Sequence, residues 1–128
     1  MNKLSPTHTI FKSKKLSFKT KDDDYRYVNA KKQIKKGELI IVEHSFKSKK
    51  PEFINTGIIS SSELFDNLYP RKEKWSKQLL SKEGQTEDIN NLINEKATKN
   101  MFGKNDTYRI CLDISNFNHS TTPNACIR

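Results

Sequence analysis

The residues best suited to chemistry stand near the end of the sequence, in the run Phe117-Asn118-His119-Ser120 followed by Pro123-Asn124-Ala125. An asparagine amide carries both donor and acceptor groups, and a histidine ring offers one of each when neutral. Asn118 and His119 can therefore bind a small polar ligand through several hydrogen bonds. The alternative is a buried pair that fixes a turn, since proline fixes its own φ and asparagine can hydrogen-bond the neighbouring backbone.

Several other kinds of chemistry lack their motifs in this chain. We find no phosphate-binding Walker loop, no dinucleotide-binding glycine fingerprint and no nucleophile elbow. Cys111, His119 and Cys126 do not have the spacing of zinc ligands, so we expect no metal site. His8 and His44 lack further ligands at metal-binding spacing, and we expect them to be surface or strand residues.

The charge of the chain is concentrated in its first part. The 128 residues carry a net charge of +9, and residues 1–50 hold 14 Lys and Arg against 5 Asp and Glu. Residues 51–128 hold 10 of each sign. A basic segment of this kind predicts binding to nucleic acid or to an acidic protein surface through residues 1–50. The alternative is a solvated, lysine-rich surface.

The overall composition indicates one domain with a modest core. No apolar run approaches the ~20 residues of a membrane span, and the N-terminus has no apolar segment typical of a secretory signal. Two cysteines do not make a disulfide framework. We therefore predict an intracellular protein of the nucleus or cytoplasm. The abundance of Lys, Asn and Ile suits a virus, with the host cell as its location, or an AT-rich eukaryote.

The elements that must position the candidate residues begin with strands. Apolar residues within a basic lead-in, 1–24, predict one or two short strands (Ile10, Phe11, Leu16 and Phe18). The clearest strand covers residues 38–46, because they are apolar and β-branched and follow the turn residue Gly37. Residues 47–57 are polar and contain Pro51, which predicts a loop.

Three helices are predicted next. The first has Ser60 as N-cap with Glu63 in a capping box, and it stops before Pro70. The second is marked by its apolar residues and ends at Gly84 (Trp75, Leu79 and Leu80). The third runs from Thr86 to Gly103, with an apolar face and two lysines suited to its C-terminal dipole (Ile89, Leu92, Ile93, Lys96 and Lys99).

Alternating apolar residues from Tyr108 to Ile114 predict an extended segment just before the candidate motif. Strands and helices are thus grouped along the chain and do not alternate. This order predicts an α+β fold with small sheets and a helical insert at about residues 60–103.

Two blocks of the sequence resemble SET-domain protein-lysine methyltransferases. The first is residues 30–40, which resemble that family's Ala-x-x-x-Ile-x-x-Gly-Glu-x-Ile pattern, and the second is residues 117–125. Weaker similarity lies at residues 68–71 and 99–103. The resemblance covers residues 25–128 and implies a fold of small β-sheets in which the second block is threaded through a loop of the later chain.

The resemblance also implies a reaction, methyl transfer from S-adenosyl-L-methionine to the ε-amine of a protein lysine, such as one in a histone-like tail. Asn118 and His119 match the family's cofactor-binding pair. Tyr25-Arg26-Tyr27 occupy the place of a Gly-x-Gly turn that lies against the cofactor. Tyrosines cannot reproduce the freedom of glycine, so Tyr25 and Tyr27 are expected to stack on the adenine or to fill the site.

Two further departures from the family pattern shape the expected activity. Thr121 stands where many members have a zinc-binding cysteine. The second family signature, with its catalytic tyrosine, is absent from these 128 residues, so the catalytic residues are unknown. We therefore expect this chain alone to be a poor methyltransferase. The alternatives are a degenerate SET module that binds nucleic acid or an acidic partner, and an unrelated α+β protein.

Overall fold

A computed structural model describes residues 6–21, 25–104, 106–117 and 124–125. The described elements are short strands, three α-helices and one 3₁₀ turn. In chain order they are β1 His8–Lys12, β2 Leu16–Lys21, β3 Tyr25–Ala30, β4 Ile41–His44, β5 Phe46–Ser48, α1 Glu52–Ile59, α2 Ser62–Asn67, α3 Glu87–Asn100, β6 Phe102–Lys104, β7 Thr107–Ile110 and the 3₁₀ turn Ile114–Asn116.

The described strands form three small antiparallel sheets. β1 pairs with β4, β2 with β3, and β5 and β6 flank β7. The mixture of antiparallel sheets and grouped helices agrees with the predicted α+β class. The predicted boundary after residue 24 falls between β2 and β3, which pair along their whole length from Leu16↔Ala30 to Lys21↔Tyr25.

The hydrophobic core lies among the three helices and β7. Its buried members are Ile54, Ile58, Leu64, Phe65, Leu68, Ile89, Leu92, Ile93, Ala97 and Ile110. Phe46 from β5 packs against this cluster and reaches α1 at Gly57. A Cβ atom at position 57 would lie 2.5 Å from the Phe46 ring, so glycine permits the close approach of strand and helix.

Helix α3 follows the prediction closely at its start. Thr86 is the N-cap, and its hydroxyl accepts a hydrogen bond from the Ile89 N–H at 3.3 Å. Lys96, which the sequence related to the C-terminal dipole of the helix, is fully buried on its apolar face. Its ammonium donates to the carbonyls of Leu68 and Pro70 at 2.9 and 2.6 Å. The lysine therefore ties α3 to the segment that follows α2.

Several predicted elements are corrected by the structure. The strand predicted over residues 38–46 forms only at Ile41–His44, and a separate strand begins at Phe46. The segment predicted as a loop contains α1, whose Ile54 and Ile58 are buried one turn apart. The N-cap of α2 is Ser61, where Ser60 was predicted, and its hydroxyl accepts a hydrogen bond from the Leu64 N–H at 3.2 Å.

The predicted helix around Trp75 is also wrong, because residues 71–86 form turns and irregular segments and contain no helix. Tertiary hydrogen bonds hold Trp75: its backbone N–H donates to Asp66 at 2.7 Å and its ring N–H donates to the Ile59 carbonyl at 2.8 Å. Helix α3 ends at Asn100, before Gly103, which lies in β6. No helix in the described part of the chain is long and apolar enough to cross a membrane.

Candidate functional site

An open cleft of about 230 Å³ lies where the β2–β3 hairpin meets β1 and the segment that leads to Asn118. It is lined by Lys12, Phe18, Lys19, Thr20, Arg26, Tyr27, Asp113 and Asn116. The cleft thus joins two parts of the sequence that are about ninety residues apart. Of the predicted site residues, Tyr27 lines the cleft. The segment on the opposite side, which contains Asp113 and Asn116, leads in the sequence to two others, Asn118 and His119.

The β2–β3 hairpin has two different faces, because successive side chains of a strand point to opposite sides. Leu16, Phe18 and Val28 share the more buried face, and Arg26 belongs to the same set. Tyr25 and Tyr27 lie on the other face, where their rings stack with centroids 5.9 Å apart. Tyr25 is 50% exposed and does not line the cleft, whereas Tyr27 does.

Cationic side chains dominate the lining of the cleft. The lining contains three cationic side chains and one carboxylate (Lys12, Lys19, Arg26 and Asp113). The Lys12 ammonium lies 3.9 Å from Asp113 and 4.6 Å from the centre of the Phe18 ring. A cleft with this excess of positive charge favours a ligand that carries a carboxylate or phosphate group. The amide of Asn116 and the ring of Tyr27 add neutral polar and aromatic surface.

Glu43 of β4 fixes the segment on the far side of the cleft. Its carboxylate accepts backbone N–H groups from Asp113 at 3.0 Å and from Ile114 at 2.8 Å. The Thr9 hydroxyl donates to the Asp113 carboxylate at 2.5 Å. Burial raises the pKa of Glu43 above its usual value, against the effect of the N–H groups. The turn at residues 112–116 is therefore anchored to both strands of the β1–β4 sheet.

Cys111 precedes this anchored turn and is 2% exposed. Burial, reinforced by the negative charge of Glu43, raises the pKa of its thiol to about 12. The thiol is thus protonated at neutral pH and suits a packing role. It is not poised as a nucleophile.

Phe117 carries the chain from the turn to the candidate motif. Its ring packs edge-to-face on Phe18 of the hairpin, with centroids 6.0 Å apart. Asn118 is the next residue in the sequence, and both Asn118 and His119 lie outside the described residues. The cofactor-binding role predicted for these two residues, and for Tyr25 and Tyr27, therefore stays a prediction.

Metal-binding groups do not converge in the described ranges, where no cluster of three or more His, Cys, Asp or Glu side chains occurs. His119 and Cys126 lie outside those ranges. His8 and His44, which are distant in sequence, face each other across the β1–β4 pair with ring centroids 5.0 Å apart. They are strand residues, as expected from the sequence.

Sequence reasoning missed most of the cleft. It did not single out Glu43, Asp113 or Asn116, because their importance comes from contacts across about seventy residues or more. No local pattern marks such a tether. Arg26 could have been found, since it stands between the two tyrosines in a strand that the resemblance already placed against a ligand.

Comparisons with known proteins give one informative relationship. The chain is 29% identical over 112 residues to a protein of Acanthamoeba polyphaga mimivirus described as a "Putative SET domain-containing protein". The aligned part is 86% of this chain and 33% of the viral protein, so the chain spans about a third of that relative's length. No family model matches the chain, and no solved structure matches it. The relationship to SET-domain proteins is thus distant and partial.

Proposed function

We propose that this chain forms part of a SET-type protein-lysine N-methyltransferase and that the cleft described above binds S-adenosyl-L-methionine. The observation that best supports this proposal is the position of the cleft. It lies between the hairpin whose Tyr25-Arg26-Tyr27 occupy the place of the family's cofactor-binding Gly-x-Gly turn and the stem that continues into Asn118 and His119. The similarity to the mimivirus protein over most of this chain supports the same assignment.

The residues present fit the charge pattern of this cofactor. Its amino-acid end carries a carboxylate, which suits Arg26 and Lys19, and an ammonium group, which suits Asp113. Its adenine suits an aromatic or amide surface such as Tyr27 and Asn116. When bound, the cofactor supplies an electrophilic methyl group on a sulfonium centre. The role proposed for this chain is to bind and orient that molecule.

The anchored turn gives the proposed site its rigidity. Glu43 holds the backbone of Asp113 and Ile114, and the Phe18–Phe117 contact holds the hairpin against the same segment. A fixed cleft lowers the entropy lost when a ligand binds. Methyl transfer further depends on alignment of the lysine amine with the methyl group. The residue that aligns the amine is unknown.

Ligand-induced stabilisation tests the cofactor site. A ligand that binds only the folded chain raises its stability by about 2.7 kcal/mol at a concentration of one hundred times Kd. We expect S-adenosyl-L-methionine and its demethylated product to raise the melting temperature, and we expect Asn118→Ala and Arg26→Gln to reduce that increase. Calorimetric titration of the same proteins gives Kd directly.

Matched substitutions serve as controls in this test. Asn90 is exposed on α3 and Arg71 lies beyond α2, so Asn90→Ala and Arg71→Gln change the same residue types outside the cleft. They should leave the stabilisation unchanged. The cofactor assignment is wrong if saturating cofactor produces no shift in the unmodified chain, or if the cleft and control variants lose the shift equally.

Methyl transfer to a lysine-containing protein is a separate readout. The resemblance assigns no catalytic tyrosine within these 128 residues, so we expect cofactor binding with little transfer. Transfer is measured by mass spectrometry of a histone mixture after incubation with the chain and cofactor. Robust lysine methylation would contradict the expected low activity and would show that the chain contains its own catalytic groups.

A further inference from the structure

The β2–β3 hairpin presents an outer face that combines basic and aromatic side chains. We call the outer hairpin face the residues Ser17, Lys19, Lys21, Tyr25, Tyr27 and Asn29, which alternate along the two paired strands. The register sets Lys19 opposite Tyr27 and Lys21 opposite Tyr25. Both lysines and Tyr25 are exposed. The opposite face of the same hairpin carries Leu16, Phe18 and Val28 and packs inward.

A second group of lysines lies at one end of this hairpin. We call it the lysine patch, and it consists of Lys14, Lys15, Lys31, Lys32, Lys35 and Lys36. Backbone hydrogen bonds of 2.8 Å join its segments, from Lys31 N–H to the Lys15 carbonyl and from Ser13 N–H to the Ile40 carbonyl. All members except Lys15 are exposed, and Lys15 is partly exposed.

Glu38 is the carboxylate that organises the lysine patch. It accepts the Lys15 ammonium at 2.9 Å and the Lys35 backbone N–H at 3.1 Å, which fixes the turn at Gly37, where φ is +81°. Within the described ranges, the other five lysines of the patch form no ion pair with a carboxylate within 4 Å. The patch thus keeps a net charge of about +5 at neutral pH.

We propose that the outer hairpin face and the lysine patch together bind single-stranded nucleic acid. Every base has a flat face that can stack on an exposed tyrosine, and lysine ammonium groups suit the phosphates of the backbone. Six strand residues span about 20 Å, which is long enough for several nucleotides along the hairpin. This surface shares Lys19 and Tyr27 with the cofactor cleft, whereas Tyr25 and the lysine patch do not line that cleft, so variants of Tyr25 and of the patch test the two proposals separately.

The positive charge of this surface, taken alone, would also suit an acidic protein as the partner. The aromatic side chains favour nucleic acid, since stacked rings on a basic strand face add affinity for bases that a carboxylate surface lacks.

Binding of a labelled oligothymidine of fifteen nucleotides, measured by fluorescence anisotropy, tests this surface. In the first variant, Lys31, Lys32, Lys35 and Lys36 are each changed to Gln. Four lost phosphate contacts should lower the slope of log Kd against log salt by about 2.8. The control changes four exposed lysines of the neutral part of the chain, Lys72, Lys74, Lys77 and Lys82, to Gln. It has the same net charge and should keep the slope.

Tyrosine substitutions test the stacking part. Tyr25→Ala should weaken oligothymidine binding at least about fivefold, whereas Tyr25→Phe should retain it. Tyr108→Ala is the control, because Tyr108 is an exposed tyrosine on a different sheet. Circular dichroism and urea unfolding of each variant confirm that it is folded.

Three results would overturn the proposal. The first is an equal loss of binding in the two quadruple variants, which would show an effect of net charge only. The second is an unchanged affinity of the Tyr25→Ala variant. The third is tighter binding to polyglutamate than to oligothymidine. The last would identify an acidic protein as the partner. A loss confined to the lysine-patch and Tyr25→Ala variants supports the proposed surface, whatever the outcome of the cofactor experiment.

Discussion

The strand region before α1 and the helical region after it are stabilised by different interactions. All ten residues of the hydrophobic cluster lie between Ile54 and Ile110. Among described residues before position 50, Leu16 is the buried hydrophobic residue. The strand region is held instead by ladders of backbone hydrogen bonds and by polar contacts such as those of Glu43 and Glu38.

This difference separates stability from recognition. The helical region carries equal numbers of positive and negative residues and has the packed core, whereas residues 1–50 carry the whole net charge. The region with few buried residues also contributes most of the cleft and the outer hairpin face. Surfaces that recognise charged partners must keep their lysines in water, which leaves few positions for apolar packing.

The largest expected effect is loss of a core aromatic side chain. Phe65→Ala should lower the free energy of unfolding by about 3–5 kcal/mol, because Phe65 is fully buried. The matched change Phe18→Ala in the hairpin should cost only about 1–2 kcal/mol, since Phe18 is partly exposed. Urea unfolding measures both, and equal losses would contradict the contrast between the regions.

The next effect concerns the buried lysine of α3. Lys96→Met keeps an apolar stem but leaves the Leu68 and Pro70 carbonyls without their ammonium donor. We expect the free energy of unfolding to fall by about 1–3 kcal/mol. Lys99→Met, on the exposed side of the same helix, is the control and should produce no resolvable change. A Lys96→Met protein as stable as the original would show that apolar packing alone closes this region.

A smaller effect is expected at Glu43, and it depends on pH. The pKa of Glu43 is raised in the folded chain, so the folded state holds its proton to a higher pH than the unfolded state does. Its contribution to stability is therefore present below the ordinary pKa of 4.5 and is lost as pH rises through the raised value. Glu43→Gln should abolish this dependence.

Urea unfolding at several pH values measures the Glu43 effect. One N–H acceptor is lost in Glu43→Gln, so we expect a cost of about 1 kcal/mol near pH 4.5 and a smaller cost at neutral pH. Glu52→Gln, in the exposed first turn of α1, is the control. A cost that grows as pH rises would mean that the ionised carboxylate stabilises the turn at residues 112–116.

The smallest effect is expected at Glu38. A hydrogen bond from Lys15 lowers the pKa of Glu38, so its contribution is present above the ordinary pKa of 4.5 and is lost as pH falls through the lowered value. The pair is partly exposed, and salt should screen it. Glu38→Gln should thus shift the unfolding midpoint slightly at low salt and not at 1 M salt. A shift that persists at 1 M salt would show that Glu38 acts through the shape of the turn.

The parts of the fold that local patterns describe could be predicted from the sequence. Thr86 with the apolar face that follows it defined the start of α3 correctly, and Gly37 marked a turn. The sequence placed Lys96 in α3 correctly but did not predict its burial, although it stands at helical spacing from Ile89, Leu92 and Ile93. A lysine at an apolar position was interpreted by its charge, and the carbonyls that receive it come from a distant segment.

Long-range contacts explain the remaining errors. Gly57 and Pro51 made the α1 segment resemble a loop, whereas Gly57 serves close packing against Phe46. The cleft required the 112–116 turn to meet the first strands, and contacts such as those of Glu43 and Asp113, which no local pattern marks, bring them together. The sequence singled out Tyr25 and Tyr27 by their place in the resemblance, and their cofactor role stays a prediction, whereas the face that they share depends on strand register.

Trp75 is the single tryptophan of the chain, and its position decides what an optical experiment can observe. Its ring N–H donates a hydrogen bond to the carbonyl of Ile59, the last residue of α1, and its backbone N–H donates to Asp66 of α2. The emission of Trp75 therefore reports on the helical region. Fraying of the hairpin would leave that signal unchanged. In a Tyr69→Phe, Tyr108→Phe variant the tyrosine absorbance comes from Tyr25 and Tyr27 and observes the other region. Two transitions that coincide would show that both regions unfold as one cooperative unit.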